Sequence, residues 1–242
     1  MTELPLVLLH AFPLDARMWD PVRAPLAERL RLITPDQRGL GRSPLPETDR
    51  EPSLEDAARD VVALLDRLEL EEVVVGGCSM GGYLALQVLK IAPERVAGLV
   101  LIDTKATADT PEAAENRLKV AERVEAEGVK GWLADANLPN LLANEEPADR
   151  VRELIDAQPP AGVAWAARAM RTRPDSLDLL RETDVPGLVI VGEEDKLTPV
   201  EEAGKMVAAL DEATLVVLPG AGHLTPLEDP AGVVEAILGW YA

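Results

Sequence analysis

Val73-Val74-Val75-Gly76-Gly77-Cys78-Ser79-Met80-Gly81-Gly82 is the stretch whose reading decides the fold. An apolar, β-branched run ends in a serine flanked at two residues on either side by Gly77 and Gly81, and a helical pattern follows. Glycines at those two positions remove the Cβ atoms that would clash in a tight strand-to-helix turn. They let Ser79 take up strained backbone angles with its hydroxyl pointing outward, which is where a nucleophile sits. Cys78, next to it on a strand expected to be buried, reads as a small hydrophobe with no chemistry of its own.

Working outward, short apolar runs recur at Leu6–Leu9, Leu32–Thr34, Leu99–Ile102, Leu188–Val191 and Leu215–Leu218. Most are apolar throughout rather than alternating, the pattern of strands buried on both faces. Between them lie amphipathic stretches with recognisable starts. Ser53-Leu54-Glu55-Asp56 opens a helix to about Leu68, Thr198-Pro199 opens one through Leu210, and Asp229-Pro230 opens the last, ending near Trp240. Strands and helices alternating in this way require a parallel sheet covered on both sides. The alternation breaks once, between residues 107 and 182, where the chain is rich in Ala, Glu and Arg and helical in period. One α/β domain is therefore expected, with residues 1–106 and 183–242 as its core and 107–182 as a helical insertion. Loops at the carboxyl ends of parallel strands surround the ligand crevice, so the insertion is expected to cover that crevice as a lid.

Composition narrows the function. The chain has 242 residues and a formal charge of -19, which disfavours nucleic acid and anionic membrane surfaces and leaves small, neutral molecules as the expected substrates. One cysteine excludes an intrachain disulfide, and no apolar run approaches the roughly 20 residues that span a bilayer. Met1-Thr2-Glu3-Leu4-Pro5 shows no basic stretch followed by a signal-length apolar run, so a cytoplasmic enzyme is expected. With two histidines far apart and one cysteine there is no metal-binding cluster, and neither metal nor cofactor is expected. Oligomeric state is left open.

The elbow at Ser79 and the order of elements resemble the α/β-hydrolase family from about residue 4 to the C-terminus. Two further motifs carry the resemblance: His10-Ala11-Phe12-Pro13, where the family often has His-Gly-Phe-Pro, and Asp36-Gln37-Arg38-Gly39-Leu40-Gly41-Arg42-Ser43, which is similar to its Asp-x-Arg-Gly-x-Gly-x-Ser turn. The family's triad runs serine, acid, histidine along the chain. Here Ser79 is followed by Asp195, in Val191-Gly192-Glu193-Glu194-Asp195, and by His223, in Gly220-Ala221-Gly222-His223. A serine hydroxyl is a poor nucleophile at neutral pH and needs an imidazole to take its proton. Of the two histidines, His223 lies where the family places its base, whereas His10 belongs to the loop that supplies an oxyanion donor and reads as structural. Asp195 takes the role of orienting His223, with Glu193, Glu194 and Asp103 as competitors. The resemblance assigns the oxyanion donors to the backbone N–H groups of Met80 and Phe12.

Most members of the family begin with two antiparallel strands; only Met1–Pro5 precede the first run here, so a sheet of about six strands is expected. A serine nucleophile points away from the dehalogenase and epoxide hydrolase branches, which resemble this architecture, and towards acyl transfer to water. The expected substrate is a small carboxylic ester or a lactone. Enol-lactonases, carbon-carbon bond hydrolases and cofactor-free perhydrolases share the same parts, and a ligand-sensing protein on the same scaffold is an alternative of a different class. Trp132 and Trp165 fall in the insertion and, with His10, are the candidates for lining a substrate pocket. The run Arg168-Ala169-Met170-Arg171-Thr172-Arg173 reads as a solvated or salt-bridged helix face.

Overall fold

The computed structural model describes residues 4–242; the reading of Met1–Glu3 as part of a leaderless start lies outside them. Six strands, β1 (Leu6–Leu9), β2 (Leu32–Ile33), β3 (Val73–Cys78), β4 (Val96–Ile102), β5 (Gly187–Gly192) and β6 (Ala213–Leu218), form one sheet in the order β2-β1-β3-β4-β5-β6. Every pairing is parallel.

The apolar runs explain why the sheet is sandwiched. Leu6, Leu8, Val74, Val100, Leu188 and Ile190 point into one apolar cluster, while their neighbours Val7, Leu9, Val75, Leu99, Leu101 and Val189 point into the other. Side chains alternate across a strand, so a strand with no polar positions must find apolar cover on both faces. Helices α2 (Leu54–Arg67), α3 (Met80–Ile91) and α9 (Val200–Ala209) supply that cover on one face; α1 (Asp20–Ala27) and α11 (Pro230–Tyr241), which follows the short α10 (Thr225–Glu228), supply it on the other. Each fully buried Leu or Val contributes roughly 1.5–3 kcal/mol from removal of its surface from water. Ser53 caps α2 by accepting from Glu55 N–H, and Asp229 caps α11 by accepting from Gly232 N–H; such caps contribute about 1 kcal/mol each.

Strand β3 runs through Gly76 and Gly77 to Cys78, as expected, because paired glycines allow β4 and α3 to approach. Two details differ from the sequence reading. Strand β6, expected to be buried, lies at the edge with Leu215 and Val217 more than a third exposed. Between β4 and β5 the chain forms α4 (Pro111–Glu127), α5 (Trp132–Leu141), α6 (Ala148–Asp156), α7 (Pro160–Arg171) and α8 (Leu177–Arg181). The last of these packs with α9, placing Leu180 in the sheet's own apolar cluster, so α8 belongs by its contacts to the layer over the sheet. Among the described residues no helix is long and apolar enough to cross a membrane.

Candidate active site

Because all six strands run the same way, their carboxyl ends gather at one edge. The chain visits β1, steps outward to β2, and returns to β3 on the other side of β1, so the order reverses between β1 and β3. That reversal opens a crevice at the strand ends. Phe12, after β1, and Ser79, after β3, stand at it and line the same cavity.

Ser79 has φ +54° and ψ -113°, a conformation that side-chain-bearing residues rarely adopt. Close packing imposes it. A Cβ at Gly81 would stand 1.9 Å from the Leu9 carbonyl oxygen, and one at Gly77 would stand 2.3 Å from the Gly81 backbone. Only glycines permit the sharp turn from β3 into α3. The turn is pinned from β4: Ser79 N–H donates to the Ile102 carbonyl at 3.0 Å, and Thr104 Oγ1 donates to the Ser79 carbonyl at 2.8 Å. Met80 is the first residue of α3, so its N–H has no carbonyl one turn earlier to bond.

His223, in the loop after β6, places Nε2 2.8 Å from Ser79 Oγ and Nδ1 2.8 Å from Asp195 Oδ2. With the Nδ1 proton directed at the carboxylate, Nε2 is left to accept from the serine hydroxyl. Asp195 is held by four donors: Leu197 N–H, Thr198 N–H, Thr198 Oγ1 and His223 Nδ1, at 2.7–2.9 Å. Burial alone would raise its pKa, but the His223 hydrogen bond and charge and the Thr198 donors hold it below the ordinary carboxylate value. Burial pulls His223 down, yet the Asp195 hydrogen bond and charge outweigh it and leave the imidazole above its ordinary value.

Asp103 is the competitor that the sequence left open, and the structure gives it different partners. Its carboxylate accepts from Gly192 N–H at 3.1 Å and from Thr225 N–H and Oγ1 at 2.8 and 2.7 Å. It thereby ties the end of β5, three residues before Asp195, to the loop two residues past His223. Complete burial raises its pKa to about 7, with His223 opposing and Asp195 adding to the rise. Glu193 and Glu194 are exposed, and Glu193 accepts from Gly220 N–H.

The pocket candidates are corrected by the structure. His10 is wholly buried; its Nδ1 lies 3.1 Å from the Ala11 carbonyl and its Nε2 accepts from Gln37 N–H at 2.9 Å. It shapes the loop that carries Phe12 and does not line the cavity, and burial lowers its pKa. Trp132 donates its indole N–H to the Gly128 carbonyl and lies under the Arg123 guanidinium, 4.0 Å from the ring centroid. Trp165 faces away from the cavity, towards Arg38 and a separate groove with Leu45 and Pro52. Both tryptophans pack the helical segment because their large apolar rings fill space between helices.

The cavity beside Ser79 and His223 has a volume of about 250 Å³. Val120 of α4, Leu141 of α5 and Met170 of α7 give it an apolar wall, and Tyr83, Lys105 and Arg117 give it a polar one. Sequence reasoning missed these lining residues, which belong to five separate parts of the chain. Lys105 alone had a positional signal, standing three residues beyond the end of β4 on the crevice side. The Arg168–Arg173 run divides. Arg168 pairs with Glu125 at 2.6 Å as a salt-bridged face would, whereas Arg173 turns inward, its side chain buried against Asp109 and over the Tyr83 ring.

A thermophilic esterase from Thermogutta terrifontis, solved with malate bound, superposes on this chain with a TM-score of 0.94 and 42% sequence identity, covering 99% of this chain and 89% of the esterase. The 3-oxoadipate enol-lactonase 1 of Acinetobacter baylyi is 27% identical over 97% of this chain and 87% of its own length. A dihydrolipoyllysine-residue acetyltransferase component of an acetoin cleaving system from Pseudomonas putida is 30% identical over 98% of this chain, which spans only 63% of that relative's length. Residues 6–236 match the model of the alpha/beta hydrolase family. The six-stranded parallel sheet, the helices on its two faces and that match over nearly the whole sequence make this chain a member of the alpha/beta hydrolase family.

Proposed function

We propose that this hydrolase cleaves small carboxylic esters through an acyl-enzyme formed on Ser79. The observation that carries the reading is the continuous hydrogen-bonded line from Ser79 Oγ through His223 to Asp195, 2.8 Å at each link, opening on a cavity of about 250 Å³. Ser79 Oγ attacks the ester carbonyl while His223 Nε2 takes its proton. Asp195 stabilises the imidazolium so formed. The developing oxyanion is received by the N–H groups of Met80, at the start of α3, and Phe12, after β1. As the tetrahedral species collapses, the carbon-oxygen bond to the leaving group breaks and His223 returns its proton to the departing alkoxide. Water, deprotonated by His223, then releases the acid and restores the serine.

In this reading α4 to α7 act as the lid, with α4, α5 and α7 forming the wall that limits the acyl group. A cavity of this size lies just below the usual range for drug-sized ligands of roughly 300–1,000 Å³, which favours short acyl chains. Similarity to the enol-lactonase supports a lactone as the second reading, since a lactone is an internal ester opened by the same steps. Steady-state hydrolysis of p-nitrophenyl esters of increasing acyl length tests the proposal. Multiple turnover by the wild type that disappears in Ser79→Ala, with short chains preferred, is the expected result. Turnover that survives in Ser79→Ala would overturn it, and cleavage limited to one equivalent per protein would favour a ligand sensor.

A further inference from the structure

The charge within the cavity is opposite to that of the molecule. Three cationic side chains converge on one wall: Lys105 after β4, Arg117 of α4 and Arg173 beyond α7. All three gather around one buried carboxylate, Asp109, to which Arg173 donates at 2.8 Å and Arg117 donates through Nε. Glu202 is the other acid facing this group; it is already paired with Lys205 at 2.5 Å and accepts from Thr107 Oγ1. Four cations against two carboxylates leave an excess of two positive charges here, in a chain whose formal charge is -19.

The cations are not equally occupied. Arg173 is buried and spends its guanidinium on Asp109, the Thr107 carbonyl and the Tyr83 ring. Lys105 and Arg117 line the cavity with Ser79. Lys105 Nζ reaches Asp109 only at 3.7 Å, beyond the roughly 2.7–2.9 Å of a charge-assisted hydrogen bond, and makes no hydrogen bond among the described residues. Arg117 turns Nη1 towards Met170 Sδ, a weak acceptor, at 3.3 Å. Burial lowers the Lys105 pKa and Arg173 lowers it further, with Asp109 and Glu202 opposing and Arg117 adding to the fall. A half-buried ammonium with an unfilled set of donors is costly unless an anion meets it.

We propose that Lys105 and Arg117 form an anion subsite for a free carboxylate of the substrate, so that the ester or lactone cleaved at Ser79 is a half-ester or lactone of a dicarboxylic acid. This deepens the esterase reading and rests on it. The overall charge, which by itself argues for neutral substrates, is overridden within the cavity because a short-range pair in a low-dielectric wall outweighs screened charges on the distant surface. A guanidinium with an adjacent ammonium suits a planar carboxylate.

Two measurements test the subsite separately from the chemistry. In the Ser79→Ala protein, NMR titration with monomethyl glutarate and with methyl pentanoate, matched in length, reads binding without turnover. The charged ligand is expected to bind about tenfold more tightly, and Lys105→Met or Arg117→Gln in that background to remove most of the preference, with Lys105→Arg restoring it. The exposed Arg171→Gln serves as a control and leaves the preference intact. In the active protein, the ratio of kcat/KM for the same two esters, followed by proton release, should fall by about the same factor in Lys105→Met. Equal binding of the two ligands, or a preference untouched by both substitutions, would overturn the subsite. So would inorganic phosphate binding as tightly as monomethyl glutarate and displacing it, since the wall would then attract any anion. Absence of turnover on every ester, with the binding preference present, would overturn the esterase reading and leave the subsite standing.

Discussion

The strand ends of the sheet and the helices between β4 and β5 both face the cavity, but they are built on different physics. At the strand ends each group of the proposed triad is locked by backbone: Ser79 by β4 and two glycines, Asp195 by three donors on its own loop, and the His223 loop through Asp103 and Thr225. Helices α4 to α7 pack on one another through buried apolar side chains such as Val124, Leu133, Leu154 and Val163, and their outer side chains are placed by ion pairs and stacking, such as Arg168 with Glu125, Arg152 with Asp135 and Arg123 over Trp132. Exposed pairs of this kind contribute only about 0–1 kcal/mol each. Substitutions at the strand ends should therefore change the rate of reaction, and substitutions in the helices should change which substrate reacts.

The largest expected effect breaks the core side of that comparison. His223→Ala should lower kcat by about 10⁵–10⁶ with little change in melting temperature, because the proposed mechanism uses the imidazole in every proton transfer while its removal leaves the sheet intact. Retained activity would shift the base role away from His223. Asp195→Asn should lower kcat by about 10⁴, the loss expected when the tautomer and the cation lose their support. Asp103→Asn sharpens the point. It removes an acceptor for Thr225 and Gly192 without touching His223, so a loss of about 1–3 kcal/mol in stability and a smaller loss in kcat than Asp195→Asn are expected, read from thermal melts and rates on one preparation. A larger rate loss in Asp103→Asn than in Asp195→Asn would make Asp103 the orienting acid.

On the helix side, Met170→Ala should leave kcat for the shortest ester within about threefold and shift the preferred acyl length upward by one or two carbons, since each methylene accommodated in such a pocket is worth about 1–3 kcal/mol. The smallest expected effect is in pH. Protonated His223 cannot accept the serine proton, so kcat/KM should rise with pH through an inflection above 6.5, the ordinary histidine value. Stability should move oppositely. The folded-state pKa is raised, so the contribution of protonated His223 is complete below about 6.5 and is lost as pH rises through the folded value. Asp195→Asn should abolish that stability slope.

Most of the core was legible from residues alone. Runs such as Leu6–Leu9 and Leu188–Val191, apolar at every position and alternating with amphipathic stretches, read as strands covered on both faces, and the glycines around Ser79, set between such a run and a helical pattern, read as a sharp turn. The edge strands β2 and β6 were the exceptions, half-buried or exposed where a central strand is covered, because an edge strand and a central one share the same alternation of side chains and differ only in neighbours. Asp103 and Asp195 each follow a strand and are chemically identical, so sequence could rank them only by resemblance; the acceptor geometry at His223 separates them. Trp132 and Trp165 attracted notice by their rarity, but helical period does not say which neighbour a face meets, and both turned away from the cavity. Local pattern by itself determined the parallel sheet and the sharp turn at Ser79, since these follow from backbone sterics and burial within a few residues, whereas the order of the acid and histidine came from resemblance to the family. Only the tertiary structure decided that Lys105, Arg117 and Arg173 would meet around Asp109 beside Ser79, because long side chains from separate elements converge only once the helices are packed.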